Sequence, residues 1–164
     1  MPSLRLHKSR HQGTAPVTHE SEARHQRPLP IPDDESAPYW QGARRRQLVI
    51  QRCGDCSFYI HYPKGRCPRC QAVNLTEFSV SGRGTVYSFS IVHVKLAPGF
   101  DPPYVVALVE LDEQSGLRLV TNIVDSPIEA IFVGMPVEVV FEDVTPEITL
   151  PYFKPAATPE FKEQ

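Results

Sequence analysis

Four cysteines in two pairs carry the one spacing in this 164-residue chain that specifies a chemistry: Cys53-Gly-Asp-Cys56, ten residues, then Cys67-Pro-Arg-Cys70. Each C-x-x-C hook offers two thiolates to one ion, and a hairpin between the hooks closes a tetrahedral shell. Four sulfurs leave no position for a reactive water, so a bound zinc is expected to be structural. These are all the cysteines in the chain, so none is left as a free nucleophile. C-x-x-C pairs also serve redox proteins. Hook spacing together with an N-terminus that lacks an apolar leader favours zinc in a reducing cytoplasm over disulfides. His61 lies between the hooks and is not needed as a ligand.

Other residues with chemical potential are weaker. His93 near a strand end is possible general-base material, but a histidine there is more often a packed or hydrogen-bonded residue. Gly82-Arg-Gly84 lacks the following helix of a phosphate loop and reads as a bend with close backbone approach. His7, His11, His19 and His25 are scattered at spacings that match no fixed coordination geometry. No hydrolytic or redox constellation emerges.

The elements that must position the hooks read as mostly β. Seventeen prolines and nine glycines point to strands and loops, and a hydrophobic fraction of 41% allows a packed core. The longest apolar runs, such as Tyr104 to Val109, are too short to span a membrane. Residues 1–32 are polar, without apolar periodicity, and are expected to be a disordered tail. Asp33-Asp-Glu-Ser36 predicts the start of a short helix through Ala43 that carries Tyr39 and Trp40. Trp40, the one tryptophan, either covers the zinc module or anchors a partner. Strands are predicted over Gln47–Arg52, Phe58–Tyr62 and Leu75–Val80, which with the hooks make a rubredoxin-like zinc ribbon over 33–81. Many such knuckles have glycine after the second cysteine, where φ is positive. Here Ser57 and Gln71 stand there, at some cost in strain.

From Gly82 the pattern changes. Thr85 to Lys95 alternates, predicting Tyr87, Phe89, Ile91 and His93 on one face and Val86, Ser88, Ser90, Val92 and Val94 on the other. Further strands are predicted over Tyr104–Leu111, Leu117–Ile123, a segment from Pro136 with Val137, Val139 and Phe141 inward, and Ile148–Phe153. A helical turn fits Pro127–Phe132. Five strands with a short helix between the third and fourth predict a five-stranded OB-fold barrel over 82–155, followed by a tail over 156–164.

A ribbon followed by an OB-fold first suggests nucleic acid. Charge argues otherwise. Residues 1–81 carry twelve Lys and Arg against seven Asp and Glu, whereas 82–154 carry four against ten. An acidic barrel repels a phosphate backbone, whose affinity is mainly electrostatic. Residues 44–71 hold Arg44, Arg45, Arg46, Arg52, Lys64, Arg66 and Arg69 against Asp55 alone. Such a patch is either a solvated face or a surface for phosphates or an acidic partner.

Taken together, Cys53-x-x-Cys56, Tyr62-Pro63, Cys67-Pro68-x-Cys70, the run Ser81-Gly-Arg-Gly-Thr-Val-Tyr-Ser-Phe89 and His93 resemble a family of small zinc-ribbon and OB-fold proteins associated with acyl-CoA metabolism. Pro103-Tyr-Val-Val-Ala107, Thr121-Asn122, Gly134-Met-Pro-Val137 and Leu150-Pro-x-Phe153 extend the resemblance over 33–155. It implies an accessory subunit of a thiolase-superfamily enzyme, such as a thiolase or retro-aldolase of lipid or aromatic degradation. The thiolase-fold partner is then expected to supply the catalytic Cys and His, with this chain buttressing the CoA and acyl channel. Under that reading Trp40, Arg44, Arg45, Arg46, Arg66, Arg69, Tyr87, Phe89 and His93 are candidate CoA or partner contacts. No nucleic acid and no membrane are expected as partners. The competing class is a free-standing acyl-CoA or lipid-binding module, and a nucleic-acid-binding protein stands behind it.

Overall fold

A computed structural model describes residues 27–157. Most of the expected N-terminal tail, with His7, His11, His19 and His25, and most of the C-terminal one lie outside the described residues.

The chain enters through a turn rather than directly into a helix. The Ser36 N–H donates to Asp33 Oδ1 at 2.8 Å, and the Asp33 N–H donates to Ser36 Oγ at 3.0 Å. These bonds from Ser36 hold the Asp33 carboxyl below the usual carboxylate range. The acids therefore build the turn, and helix α1 (Ala37–Arg44) begins after them. Gly42 lets α1 lie close on the first strand, since a Cβ at Gly42 would sit 2.4 Å from Val49 Cγ2.

The ribbon sheet comprises β1 (Leu48–Cys53), β2 (Tyr59–Ile60) and β3 (Leu75–Val80), antiparallel in the order β2-β1-β3. Leu48 pairs with Val80 and Cys53 with Leu75. The second strand is shorter than the sequence pattern predicts, and its two residues pair only with Gln51 and Arg52.

The second sheet is a closed barrel of β4 (Arg83–Val92), β5 (Tyr104–Leu111), β6 (Arg118–Ile123), β7 (Pro136–Asp143) and β8 (Thr149–Pro155). Its order is β4-β5-β6-β8-β7, with a 3₁₀ turn at Ile128–Ala130 between β6 and β7. The β6–β8 seam is parallel and short, joining Ile123 to Phe153. The others are antiparallel. This five-strand order with one parallel seam is that of an OB-fold. Strand β5 alternates strictly, burying Val105, Ala107, Val109 and Leu111. Gly84 is the point where β4 crosses close to β5: a Cβ there would meet the Glu110 carbonyl oxygen at 2.3 Å.

The long first barrel strand corrects the alternation expected for it. A bulge falls between Val86 and Ser88. Val86 pairs with buried Val109, and Phe89 pairs with buried Ala107, so both face the core. Tyr87 is thereby turned outward, away from Phe89. Barrel strands bend at bulges to serve two seams, and an extra residue reverses the phase of everything that follows.

Ribbon and barrel share one core. Leu48, Ile50 and Val80 of the ribbon pack with Val86, Val109, Leu111, Leu117, Val137 and Phe153 of the barrel. Polar ties reinforce this union. Gln114, between β5 and β6, accepts from the Tyr59 N–H at 2.8 Å and donates to the Tyr59 carbonyl at 3.1 Å. Glu113 Oε1 accepts from the Ser81 N–H at 2.6 Å. Arg46 reaches from the end of α1 to the Phe141 carbonyl at 3.0 Å and to the Asp143 carboxylate.

Replacing Gln114 by alanine removes both partners of a half-buried backbone pair. The expected loss is about 1–3 kcal/mol of stability in chemical denaturation of the zinc-loaded protein. An unchanged midpoint would show that apolar packing alone joins the two modules.

Candidate metal centre and adjoining cleft

Each hook folds as the same tight knuckle. The Ser57 N–H bonds to the Cys53 carbonyl and the Gln71 N–H to the Cys67 carbonyl, both at 2.9 Å. The Cys53 N–H and Cys67 N–H close the loops onto the carbonyls of Phe58 and Ala72, also at 2.9 Å. Ser57 and Gln71 have φ of 60° and 63°, the left-handed conformation expected where glycine often stands. Backbone N–H groups of Phe58 and Ala72 pull the thiols of Cys56 and Cys70 down, but burial and the neighbouring sulfurs outweigh them and leave both thiols raised, so four thiolates at this spacing call for a cation among them.

The two knuckles bring all four sulfurs within 4.8 Å of one another, with Cys53–Cys70 and Cys56–Cys67 at 3.6 Å. Sulfurs about 2.3 Å from a central zinc are about 3.8 Å apart in a regular tetrahedron. The donor set therefore fits zinc with little adjustment. Cys53 and Cys67 are fully buried, while Cys70 is exposed. His61 is absent from this cluster. The centre can hold a fold together and has no fifth group for chemistry.

Beside the ribbon lies a cleft of about 260 Å³ whose walls come from five elements or their flanks. Tyr39 and Trp40 of α1, Ile50 and Gln51 of β1, and His61 and Tyr62 after β2 form its sides. Glu35, Glu77 and, from the barrel, Val120 complete it. Tyr39 meets Trp40 edge to face at 4.9 Å, and His61 stacks on Tyr62 at 4.1 Å. Tyr39 is the ring that packs on the shared core, whereas Trp40 lines the cleft. Burial pushes His61 down to about 4, so its imidazole is neutral at physiological pH. Burial also raises the Tyr39 hydroxyl.

The remaining candidate contacts do not form one surface. Arg44 and Arg45 are exposed at the end of α1. Arg46 is tied to β7 and acts as a strut. Arg52 lies over Tyr59 and Phe78, at 5.3 and 5.1 Å from the ring centres. Arg66 bonds the Gln71 carbonyl at 3.3 Å on the second knuckle, and Arg69 is exposed there. Tyr87 is 47% exposed, with the Arg118 guanidinium 3.4 Å from its centre and that arginine paired to Glu110 at 2.7 Å. Phe89 belongs to the core, and His93 lies exposed beyond the end of β4.

Sequence reasoning missed Glu35, Gln51, His61, Tyr62, Glu77 and Val120 as members of one site. Apart from the adjacent pair His61 and Tyr62, no local spacing connects them, because they come from different parts of the fold. It also missed Arg27, which donates to the Gly99 carbonyl at 2.6 Å and the Tyr152 hydroxyl at 3.1 Å and lies over Phe100. Among the described residues no helix is long and apolar enough to cross a membrane.

Two family models match the chain in tandem. One is the ChsH2 rubredoxin-like zinc ribbon domain over residues 40–75, and the other is the ChsH2 C-terminal OB-fold domain over 79–142. A probable enoyl-CoA hydratase alpha subunit of Thermomonospora curvata is 42% identical over 134 residues, covering 82% of this chain and 41% of that protein. A DUF35 domain-containing scaffold protein of Methanocaldococcus jannaschii is 37% identical over 110 residues, 64% of this chain and 75% of that one. A benzoylsuccinyl-CoA thiolase subunit BbsA of Geobacter metallireducens is 32% identical over 85 residues, 52% and 51% of the two chains. Among solved structures, a chain of the Ltp2-ChsH2(DUF35) aldolase superposes with a TM-score of 0.72 at 41% identity, covering 78% of this chain and 99% of that one. The chain thus spans about two-fifths of the hydratase subunit it matches.

Replacing any one of Cys53, Cys56, Cys67 or Cys70 by serine is expected to unfold the ribbon, because a structural zinc contributes on the order of 10 kcal/mol in small modules. Metal analysis of the purified protein should find one zinc per chain, and a strong chelator should abolish amide protection in 48–80. Protein free of any metal that kept a protected ribbon would overturn this assignment.

Proposed function

The chain belongs to the DUF35 family of ChsH2-type zinc-ribbon and OB-fold proteins, and from that premise we propose that it is a non-catalytic accessory subunit of a thiolase-superfamily acyl-CoA enzyme. The observation that carries this reading is the likeness, over 99% of the neighbour's length, to a chain of an aldolase complex. A relative named as a benzoylsuccinyl-CoA thiolase subunit supports the thiolase class, and one named as a probable enoyl-CoA hydratase alpha subunit supports the wider class of acyl-CoA enzymes. The closed four-sulfur centre agrees with a supporting role, since it has no site for a reacting group.

In this role the catalytic Cys and His come from the thiolase-fold partner, in the cytoplasm. This chain contributes a rigid body that braces the partner and borders the acyl-CoA channel. The exposed bases Arg44, Arg45, Arg66 and Arg69 suit CoA phosphates or an acidic partner surface, whereas Arg46, held by Asp143, is less available. Trp40 is the aromatic anchor, and outward-facing Tyr87 and, separately, exposed His93 offer further contact points. The acidic barrel disfavours nucleic acid.

Affinity purification of the tagged protein from its native host should recover a thiolase-fold chain in stoichiometric amount. The isolated chain should turn over no acyl-CoA, and the reconstituted pair should. Activity of this chain by itself, free of partners, would sink the reading, as would saturable acyl-CoA binding with no partner recovered. That second outcome would make the chain a free-standing binding module.

Trp40→Ala separates anchor from core. The expected result is a loss of about 2 kcal/mol or more in partner affinity at an unchanged melting temperature. A large melting shift without specific loss of partner would assign Trp40 to packing alone.

A further inference from the structure

The cleft under α1 combines four aromatic rings with two carboxylates and no cation. Tyr39, Trp40, His61 and Tyr62 supply the rings, and Glu35 and Glu77 supply the charge. Neither glutamate makes an ion pair among the described residues, where the four salt bridges join other groups. Neither the Tyr39 hydroxyl nor the His61 ring makes a hydrogen bond there. Neutral His61 does not offset the negative charge.

These features select an occupant. Phosphates, acyl carboxylates and the CoA head group are repelled by two carboxylates. A volume of about 260 Å³ is below the roughly 300–1,000 Å³ typical of sites for whole small ligands, and suits one long side chain. Aromatic faces attract cations electrostatically, and a planar guanidinium stacks on them while its edge donates to carboxylates. A lysine ammonium is compact and strongly hydrated, and uses such a slot less well.

We propose that this cleft is the receptor for a single arginine side chain presented by the partner polypeptide, its guanidinium held among Trp40, Tyr62 and His61 and opposed by Glu35 and Glu77. The proposal rests on the subunit reading only in that it requires a partner chain. The cleft lies beside the zinc ribbon, so the arginine would dock against the metal-supported sheet and, through Val120, against the barrel as well. It would thus grip both modules at their junction. The site's sign is opposite to that of the exposed bases at the end of α1 and on the second knuckle.

Two measurements decide the matter. In the first, the isotopically labelled, zinc-loaded full chain is titrated with Nα-acetyl-arginine amide and, separately, with the neutral isostere Nα-acetyl-citrulline amide. The arginine probe should shift the Trp40 indole N–H and the amides of Tyr62 and Glu77 with millimolar affinity. Added salt should weaken the binding, and Glu35→Gln/Glu77→Gln should weaken it at least tenfold. Both glutamates are exposed, so the melting temperature should hold. No shift at these residues, equal binding of the citrulline probe, or full binding by the double variant overturns the proposal.

In the second, the partner recovered from the native host is bound to Glu35→Lys/Glu77→Lys. A loss of tenfold or more in affinity, with zinc content intact, is expected. Unchanged affinity refutes the arginine receptor and leaves the subunit reading standing. If the wild-type chain recovers no partner, the subunit reading fails, and the probe titration alone rules on the cleft.

Discussion

The ribbon sheet is too small to stand on burial of its own apolar groups. Its private core is Cys53, Ile60 and Cys67, edged by Cys56, Phe58, Ala72 and Leu75. Ordering each residue costs on the order of 1–2 kcal/mol of conformational entropy, which so few side chains cannot offset. Two outside supports make up the deficit. At one end four cysteine sulfurs converge at a spacing that fits a metal. At the other, Leu48, Ile50 and Val80 are inserted into the barrel's core. Each support holds one end of the same sheet, so the strands between them have little freedom to tilt.

That double anchoring determines what the surface can be. Strand β1 carries core residues at its start and a metal ligand at its end, while Gln51 and neighbouring Ile50 open onto the cleft. Helix α1 is pressed onto the same strand at Gly42, which brings Tyr39 over the core and leaves Trp40 beside the opening. The cleft is thus a consequence of the junction. Its walls draw on α1, β1, β3 and β6, each held by other contacts, and on the residues just before α1 and just after β2. A preformed site loses less entropy when it is filled than one that must be assembled.

Charge is distributed with equal economy. Exposed bases gather at the end of α1 and on the second knuckle, while Glu35 and Glu77, two acids without an ion pair among the described residues, line the cleft. Arg46 and Arg118 are neutralised within the fold by Asp143 and Glu110. A small chain with surfaces of opposite sign, a closed metal centre and no free thiol has the features of a component that orients other groups. That agrees with the subunit names carried by its relatives.

Local order was legible in the residues themselves. The hook spacing announces the tetrahedral sulfur set, and the residue after each second cysteine announces a positive φ, which Ser57 and Gln71 adopt. Gly82-Arg-Gly84 marks the close approach into the barrel, and alternation on β5 marks its inward face. These signals are short-range, set by sterics and by the two-residue period of a strand. Tertiary structure decided the rest. The bulge after Val86 parts Tyr87 from Phe89 because closing the barrel bends β4. Arg46 becomes a strut because Asp143 arrives beside it from 97 positions away. Glu35, His61, Glu77 and Val120 meet in one cleft because ribbon and barrel share a core. Local spacing and periodicity carry no record of such meetings, since they arise only when distant elements pack.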